Sequence, residues 1–297
     1  MTAPRSHSFL TCDVFADRRF GGNQLAVVLD AAGLSDAQMQ AVAREFNYSE
    51  TVFVLPPTDP KHAARARIFT PMRELPFAGH PTLGTAFVLA SQVPRLQGTR
   101  HLVLEEGVGP VAVEIEREGT AVRRCIFDAP RLPQPGPAAP ARDELAAMLG
   151  LAASQVLDSA EFWSCGIPFL VVPLSSVEAL QRCRLDPTIW AGVLAGYESK
   201  HVYPVAQAGA AWRVRMFAPD AGVAEDPATG SAAAAFGGWL AAYAPEVARR
   251  SSYTLLQGEE IGRPSRIDLQ IEREGAALRS VRVGGASVMV SQGTLLV

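Results

Sequence analysis

Lysine is nearly missing from the 297-residue chain: Lys61 and Lys200 are its two, and neither lies in a loop that argues for a pyridoxal Schiff base. Cysteine is sparse as well. Cys12, Cys125, Cys165 and Cys183 show no C-x-x-C spacing and sit in apolar or strand-like surroundings, which suits reduced, buried thiols rather than a disulfide framework. The histidines His7, His62, His80, His101 and His201 never fall at the i, i+4 spacing that sets two ligands on one helix face, so no metal site is implied. Basic charge is not in excess, with 27 basic against 30 acidic side chains and a net charge of -3. Without a run of Lys or Arg there is no footprint for a nucleic-acid backbone or an anionic membrane. The most apolar stretch, Gly230 to Ala244, falls short of the roughly 20 residues needed to span a bilayer and reads as a buried helix. Met1 to Phe15 carries Arg5, His7 and Asp13 and has no continuous apolar segment, so no secretory signal is expected and the cytoplasm is the expected compartment.

What the chain does have is repetition. Its length suggests about two domains or one large one. Arg65-Ala-Arg67-Ile-Phe69-Thr-Pro71 recurs as Arg213-Val-Arg215-Met-Phe217-Ala-Pro219, an offset of 148. His80-Pro-Thr-Leu-Gly84-Thr85-Ala86 recurs as Asp226-Pro-Ala-Thr-Gly230-Ser231-Ala232, an offset of 146. Ile115-Glu-Arg-Glu-Gly119 returns unchanged at Ile271 to Gly275, and Gln24 to Val28 has a weaker echo in Pro168 to Val172. Four matches in one order argue for two homologous halves, since solenoid units run only about 20 to 50 residues. Between them, Ala129 to Ala141 holds Pro130, Pro133, Pro135, Pro137 and Pro140, which lack backbone donors, so a linker is expected there. The expected organisation is an N-terminal lobe at 1–130, a linker at 131–141 and a C-terminal lobe at 142–297, with a C-terminal strand that could join the first lobe.

Strands are expected at Ser8 to Phe15, Leu25 to Leu29, Thr51 to Leu55 and Arg65 to Phe69, and again near His101 to Leu104, Val111 to Ile115 and Val122 to Phe127. Ser35 and Gln38 form a capping box that opens a helix through Phe46. A further helix is expected near Pro81 to Ala90. The segments Gly84 to Ala90 and Ser231 to Ala242 are apolar on nearly every face, the mark of a buried helix, here wrapped by its own half's strands.

If the halves are related by a pseudo-twofold axis, equivalent loops meet at a cleft and bring His80 toward Asp226. Both loops are expected to run into helix N-termini, at Gly84-Thr85 and Gly230-Ser231, where unsatisfied N–H groups and the helix dipole favour an anion. The plainer alternatives stand beside this reading. Thr85 and Ser231 would serve as helix caps, Glu50 as a solvated strand-end carboxylate, His80 as a loop histidine bonded to a carbonyl, and Asn23 as a turn residue after Gly21-Gly22.

Phe77-Ala-Gly79-His80-Pro-Thr-Leu-Gly84-Thr85, Glu225-Asp226-Pro-Ala-Thr-Gly230-Ser231-Ala232, Gly22-Asn-Gln-Leu-Ala-Val-Val28 and Asn47-Tyr-Ser-Glu50-Thr51 resemble the phenazine-biosynthesis PhzF-like family. The tail, with Gln257-Gly258 and Gly262-Arg-Pro-Ser265, fits as well, so the resemblance spans the chain. It implies an α+β, diaminopimelate-epimerase-like fold: two pseudo-symmetric lobes, each a mixed β-sheet barrel around a central buried helix, in a homodimer. In that family a single Glu moves a proton within a cyclic dihydro-hydroxyanthranilate without a cofactor. By motif that Glu is Glu50, with His80 and Asp226 as the catalytic partners and Gly79, Gly230 and Ser231 as substrate-contacting positions.

Residue chemistry runs the same way, because a carboxylate acting as both base and acid needs burial to raise its pKa, and Glu50 lies between an aromatic turn and an apolar strand. Gly107-Val-Gly109 leads into a strand and is a turn rather than a dinucleotide fingerprint. The repeated loops hold no cysteine pair for a two-thiol racemase. The expectation is a cofactor-independent, metal-independent isomerase acting on a small anionic carboxylate. An epimerase or racemase of the same fold, or a non-catalytic binding protein, is the alternative.

Overall fold

The structure, a computed structural model, describes residues 5–244, 248–275 and 277–297. The first four residues, part of the stretch read above for a leader, lie outside the described residues. The chain divides into two compact units, Met1–Asp128 with Gly284–Val297, and Ala129–Val283.

In the first unit the elements are β1 (Ser6–Val14), β2 (Asn23–Val28), α1 (Asp36–Phe46), β3 (Glu50–Leu55), β4 (Ala64–Phe69), β5 (Glu74–Leu75), α2 (Gly79–Gln92), β6 (His101–Glu106), β7 (Gly109–Glu118) and β8 (Ala121–Asp128). The second continues with β9 (Gln134–Ala138), α3 (Arg142–Leu149), β10 (Glu161–Ser164), β11 (Pro168–Pro173), α4 (Val177–Arg182), α5 (Pro187–Val193), β12 (Val202–Ala208), β13 (Ala211–Val214), α6 (Gly230–Tyr243), β14 (Arg250–Gln257), β15 (Ser265–Glu274) and β16 (Ala277–Gly285). The last strand, β17 (Ser287–Leu296), pairs antiparallel with β1.

Strand pairing displays the duplication. In the first unit the neighbours run β17, β1, β2, β3, β4, β6, β7, β8, with β2–β3 and β4–β6 parallel and the other pairs antiparallel. In the second they run β9, β10, β11, β12, β13, β14, β15, with parallel pairs at the matching places, β11–β12 and β13–β14. The C-terminal strand β17 therefore fills in the first unit the position that β9 fills in the second.

That position corrects the linker expectation for the proline-rich segment. Gln134–Ala138 is a strand, with Pro135 opposite Trp163 and Gln134 opposite Ser164. Pro135 and Pro137 share one parity, so their missing N–H groups fall on one side of the strand, and prolines are tolerated on an exposed strand of this kind.

Each unit wraps one helix. α2 is buried from Gly79 to Ala90 and touches all eight strands of its sheet. α6 packs on β9, β10, β11 and β15. A helix satisfies its own backbone, so it can be enclosed in an apolar shell at little polar cost. Full burial of Leu83, Val88 or Leu89 contributes roughly 1.5–3 kcal/mol each. The shell also demands small residues. A Cβ on Gly84 would come within 2.5 Å of Leu25 and 2.7 Å of Val14, and one on Gly238 within 2.5 Å of Pro133. The remaining helices lie on the outer faces. α1, capped by the Ser35–Gln38 box, sets Met39, Val42 and Ala43 against Val28, Phe53 and Phe69. Among the described residues, no helix is long and apolar enough to cross a membrane.

The repeated Arg-x-Arg-x-Phe motif has a structural reason in both copies. Arg67 bonds Glu74 through two nitrogens at 2.7 and 2.6 Å and stacks over Phe69. Arg215 bonds Glu225 at 2.8 and 2.7 Å, donates to the Leu180 and Cys183 carbonyls, and stacks over Phe217. Arg215 is buried, so removing it strands a carboxylate and two carbonyls. In chemical denaturation, Arg215→Ala should lower stability by about 3–5 kcal/mol, whereas Arg250→Ala, at an exposed pair with Glu272, should change it by less than about 0.5 kcal/mol.

Candidate active site

Glu50 opens β3, directly after the turn that ends α1. Asn47 closes α1 in the left-handed conformation (φ 52°), which reverses the chain and delivers Glu50 to the start of the strand beside Leu25 of β2. His80 lies in the first turn of α2, with Gly79 as the first helical residue. The two are brought together: His80 Nε2 is 3.4 Å from Glu50 Oε2, with the side chains 5% and 15% exposed.

Burial holds the His80 ring down to a pKa of about 3, against a smaller opposing effect of its hydrogen bond to the Gln24 backbone. The ring is therefore neutral at physiological pH. Since Nε2 is the nitrogen turned to Glu50, the bond to Gln24 falls to Nδ1, which carries the proton and leaves Nε2 as an acceptor. A protonated Glu50 can donate to that nitrogen. A neutral acceptor beside a half-desolvated carboxyl suits a group that alternates between acid and base, because neither state meets a fixed positive charge.

The helix start differs from the sequence expectation. Gly84 and Thr85 lie inside α2, more than a turn past its beginning, and are fully enclosed; neither forms an N-terminus and Thr85 is no cap. Pro81 tolerates this longer helix because it stands in the first turn, where its missing N–H would have no partner within the helix. Thr82 N–H then closes the first bond to the Ala78 carbonyl at 3.2 Å. Gly84 is small because β1 and β2 pack against it. Asn23 is not the turn residue either: Gly22 takes the left-handed conformation (φ 63°), and Asn23 begins β2, buried.

In the second unit the equivalent segment stays out of the helix until Gly230, so Gly230 and Ser231 do occupy the first turn of α6, with their N–H groups unclaimed by the helix. Ser231 is partly exposed at the second helical position and is not the cap. Asp226 is buried four residues before the helix, where its Oδ2 accepts from Thr229 Oγ1 at 2.5 Å. Gln257 at the end of β14 fixes this loop: its amide donates to the Asp226 carbonyl at 2.8 Å and to Thr229 Oγ1 at 3.1 Å, and its oxygen accepts from Thr229 N–H at 3.2 Å. Gln257 thus occupies backbone groups that an earlier helix turn would need. Tyr203, fully buried on β12, has its hydroxyl pKa pushed up by burial and by the charge of Asp226.

Several of these residues were not singled out in the sequence. Gln257 and Thr82 stand in the motifs as letters without a role, and no motif contains Glu106 or Tyr203. Strand register supplies the signal that a pairwise repeat search lacks. Leu255 and Leu256 stand beside Trp212 and Arg213, as Leu104 and Glu105 stand beside Ala64 and Arg65, which makes Glu106 the counterpart of Gln257. The same reasoning through β3 and β12 sets His201 opposite Glu50 in the repeat, where it packs on Phe169. Among the described residues, no group of three or more His, Cys, Asp or Glu side chains is placed to hold a metal ion.

With this geometry in view, the comparisons with known proteins decide the family. The model described as phenazine biosynthesis-like protein, PhzC-PhzF, matches residues 12–293. The chain belongs to this family. This PhzF-family chain is 38% identical to the trans-2,3-dihydro-3-hydroxyanthranilate isomerase of Pseudomonas fluorescens, over 98% of this chain and 99% of that protein. It is 42% identical to an uncharacterized isomerase of Mesorhizobium japonicum, over 99% and 100% of the two chains. The crystal structure of a PhzF-family phenazine biosynthesis protein from Bacillus anthracis superimposes with a TM-score of 0.87 at 25% identity, covering 99% of this chain and 100% of that one. A hydroxyproline epimerase of Agrobacterium vitis shares the fold alone, with a TM-score of 0.66 at 12% identity over 98% and 93% of the two chains. The α+β, epimerase-like fold expected from the motifs is thus the observed one, and the chain is an isomerase of the PhzF family.

Gly258 offers a test of how tightly the turn after β14 and the Asp226 loop pack together. Gly258 and Gly262 both have positive φ, 79° and 70°, but a Cβ on Gly258 would lie 2.3 Å from the Arg263 carbonyl oxygen and 2.6 Å from the Pro227 carbonyl oxygen while one on Gly262 meets nothing within 4 Å. Gly262→Ala should cost about 1 kcal/mol of backbone strain. Gly258→Ala should cost roughly 1–3 kcal/mol more, read as the difference between the two denaturation midpoints.

Proposed function

We propose that this PhzF-family isomerase works without cofactor or metal, with Glu50 removing a proton from one carbon of a small carboxylate-bearing substrate and returning it to another. The observation that carries this reading is the buried contact between Glu50 and a neutral His80. The carboxylate takes the proton; as the acid it is oriented by His80 Nε2 and then delivers the proton. No net charge enters or leaves the protein over the cycle.

Gly79, Gly230 and Ser231 are assigned to the negative charge of the substrate and of the enolate-like species formed when the proton leaves. Each stands in the first turn of a central helix, where free N–H groups and the helix dipole stabilise an anion. Asp226, held by Thr229, is assigned to the same reaction as a group that orients the substrate by hydrogen bonding. The trans-2,3-dihydro-3-hydroxyanthranilate named for the Pseudomonas fluorescens relative is the first substrate to try. The working form is proposed to be a cytoplasmic homodimer, with neither nucleic acid nor membrane as partner.

Glu50→Gln keeps the size of the side chain and removes its basicity. It should fold normally and lose about 10²–10⁴-fold in kcat, and turnover within a few-fold of the unaltered enzyme would remove Glu50 from the mechanism. Asp226→Asn, which retains an acceptor for Thr229, should lower kcat/KM; unchanged kinetics would take Asp226 out of the reaction. Turnover in deuterium oxide separates this reading from the epimerase alternative. A proton shift places deuterium on a carbon other than the one deprotonated, whereas epimerisation labels and inverts a single carbon.

A further inference from the structure

One strongly perturbed carboxyl in the first unit has no part in the chemistry above. Glu106, the last residue of β6, is buried at 8% exposure. Its Oε1 lies 2.8 Å from Thr82 Oγ1, in the same first turn of α2 that carries Gly79 and His80. Thr82 Oγ1 also lies 2.8 Å from the Ala78 carbonyl oxygen.

These two distances constrain the protons. A hydroxyl has one hydrogen, and a carbonyl oxygen only accepts, so both contacts are hydrogen bonds only when the Thr82 proton goes to Ala78. The second contact is then a hydrogen bond only if Glu106 supplies the proton, that is, if it is the neutral acid. An ionised Glu106 would either take the hydroxyl proton from Ala78 or face a lone pair. The other unit supports the neutral form independently. At the register-equivalent position it carries Gln257, the uncharged isostere of a protonated glutamate, and Gln257 likewise braces the segment that leads into the central helix.

We propose that Glu106 is a positioning residue, which as the neutral acid hydrogen-bonds Thr82 and so fixes the first turn of α2 and the His80 ring against Glu50. Burial pushes its carboxyl up to about 8; a Thr82 hydroxyl donating to the ionised carboxylate would pull it down, whereas the neutral acid donating to Thr82 does not. Charged groups on the elements packed around it are engaged elsewhere. Glu105 accepts from Thr58, Asp59 and His62; Arg67 holds Glu74 and Asp36; Arg65 is exposed. On β7, Glu116 pairs with Arg124, and Arg117 donates to the Ala90, Thr99 and Thr120 carbonyls. On α2 itself, His80 is neutral.

The unfolded chain releases the Glu106 proton near the ordinary value of 4.5, whereas the folded chain keeps it up to about 8. Between those values the native state binds the additional proton, so its stability falls as pH rises and levels off above about 8. Glu106→Gln abolishes this dependence. The inference rests on His80 belonging to the reaction, and the test therefore joins a measurement that needs no substrate to one that does.

Thermal unfolding of the unaltered protein and of Glu106→Gln is compared from pH 5 to pH 9, and turnover of trans-2,3-dihydro-3-hydroxyanthranilate is followed with Glu106→Ala added. The Tm advantage of Glu106→Gln should widen up to pH 8 and then hold constant. Glu106→Ala should lower kcat at least about tenfold with KM little changed, and Glu106→Gln should recover most of that loss and keep its kcat above pH 8, where the unaltered enzyme declines. A Tm difference that is the same at pH 5 and pH 9, or a Glu106→Gln enzyme as impaired as Glu106→Ala, overturns the proposal. Failure of the Glu50 assignment would show separately, as turnover persisting in Glu50→Gln, and leaves the Tm comparison unaffected.

Discussion

Enclosing a helix on all sides is the constraint from which the rest of this structure follows. A fully apolar shell accepts a helix only because the helix satisfies its own N–H and C=O groups, and that holds everywhere except in its first and last turns. α2 and α6 therefore bring their unsatisfied N–H groups to the one part of each unit where polar side chains must gather. Glu50, His80, Thr82 and Glu106 gather in the first unit, and Asp226, Thr229, Tyr203 and Gln257 in the second. The chemistry proposed for this chain is assigned to the places where the packing leaves polar groups to be finished.

Duplication gave both units the same solution, and their differences lie at the starts of the two central helices. Glu106 and Gln257 occupy one register position, and each reaches the segment that leads into its own helix. In the first unit the segment coils into an additional turn, so His80 is held rigidly on the helix. In the second, Gln257 claims the backbone groups that such a turn would use, and Asp226 stays on a loop. One frame thus presents a neutral imidazole and the other a hydrogen-bonded carboxylate.

Features written in local chemistry were legible in the sequence. The Ser35–Gln38 box, the alternation of Arg65 to Phe69 and the all-round apolar faces of Gly84 to Ala90 and Ser231 to Ala242 predict elements that the structure contains. The motif residues Glu50 and His80 were found, and the structure sets them side by side. What escaped depends on contacts between residues far apart in the chain. The start of α2 at Gly79 rather than Gly84 is invisible without knowing that Gly84 packs on Val14 and Leu25. The strand at Gln134–Ala138 is hidden because proline composition signals a linker, while the edge position that tolerates proline is a property of the sheet. Glu106 carries no motif at all; it becomes conspicuous only through its burial and the single proton of Thr82.

The central claim is that the first turn of α2 holds a neutral His80, protonated on Nδ1, with Nε2 open to Glu50. Nitrogen NMR of selectively labelled histidine, followed through a pH titration, reads the charge and tautomer of that ring directly. The account predicts a neutral ring with its proton on Nδ1 that shows no titration step near pH 6.5 and charges only toward pH 3. A His80 that protonates near 6.5, or that carries its neutral proton on Nε2, would contradict it.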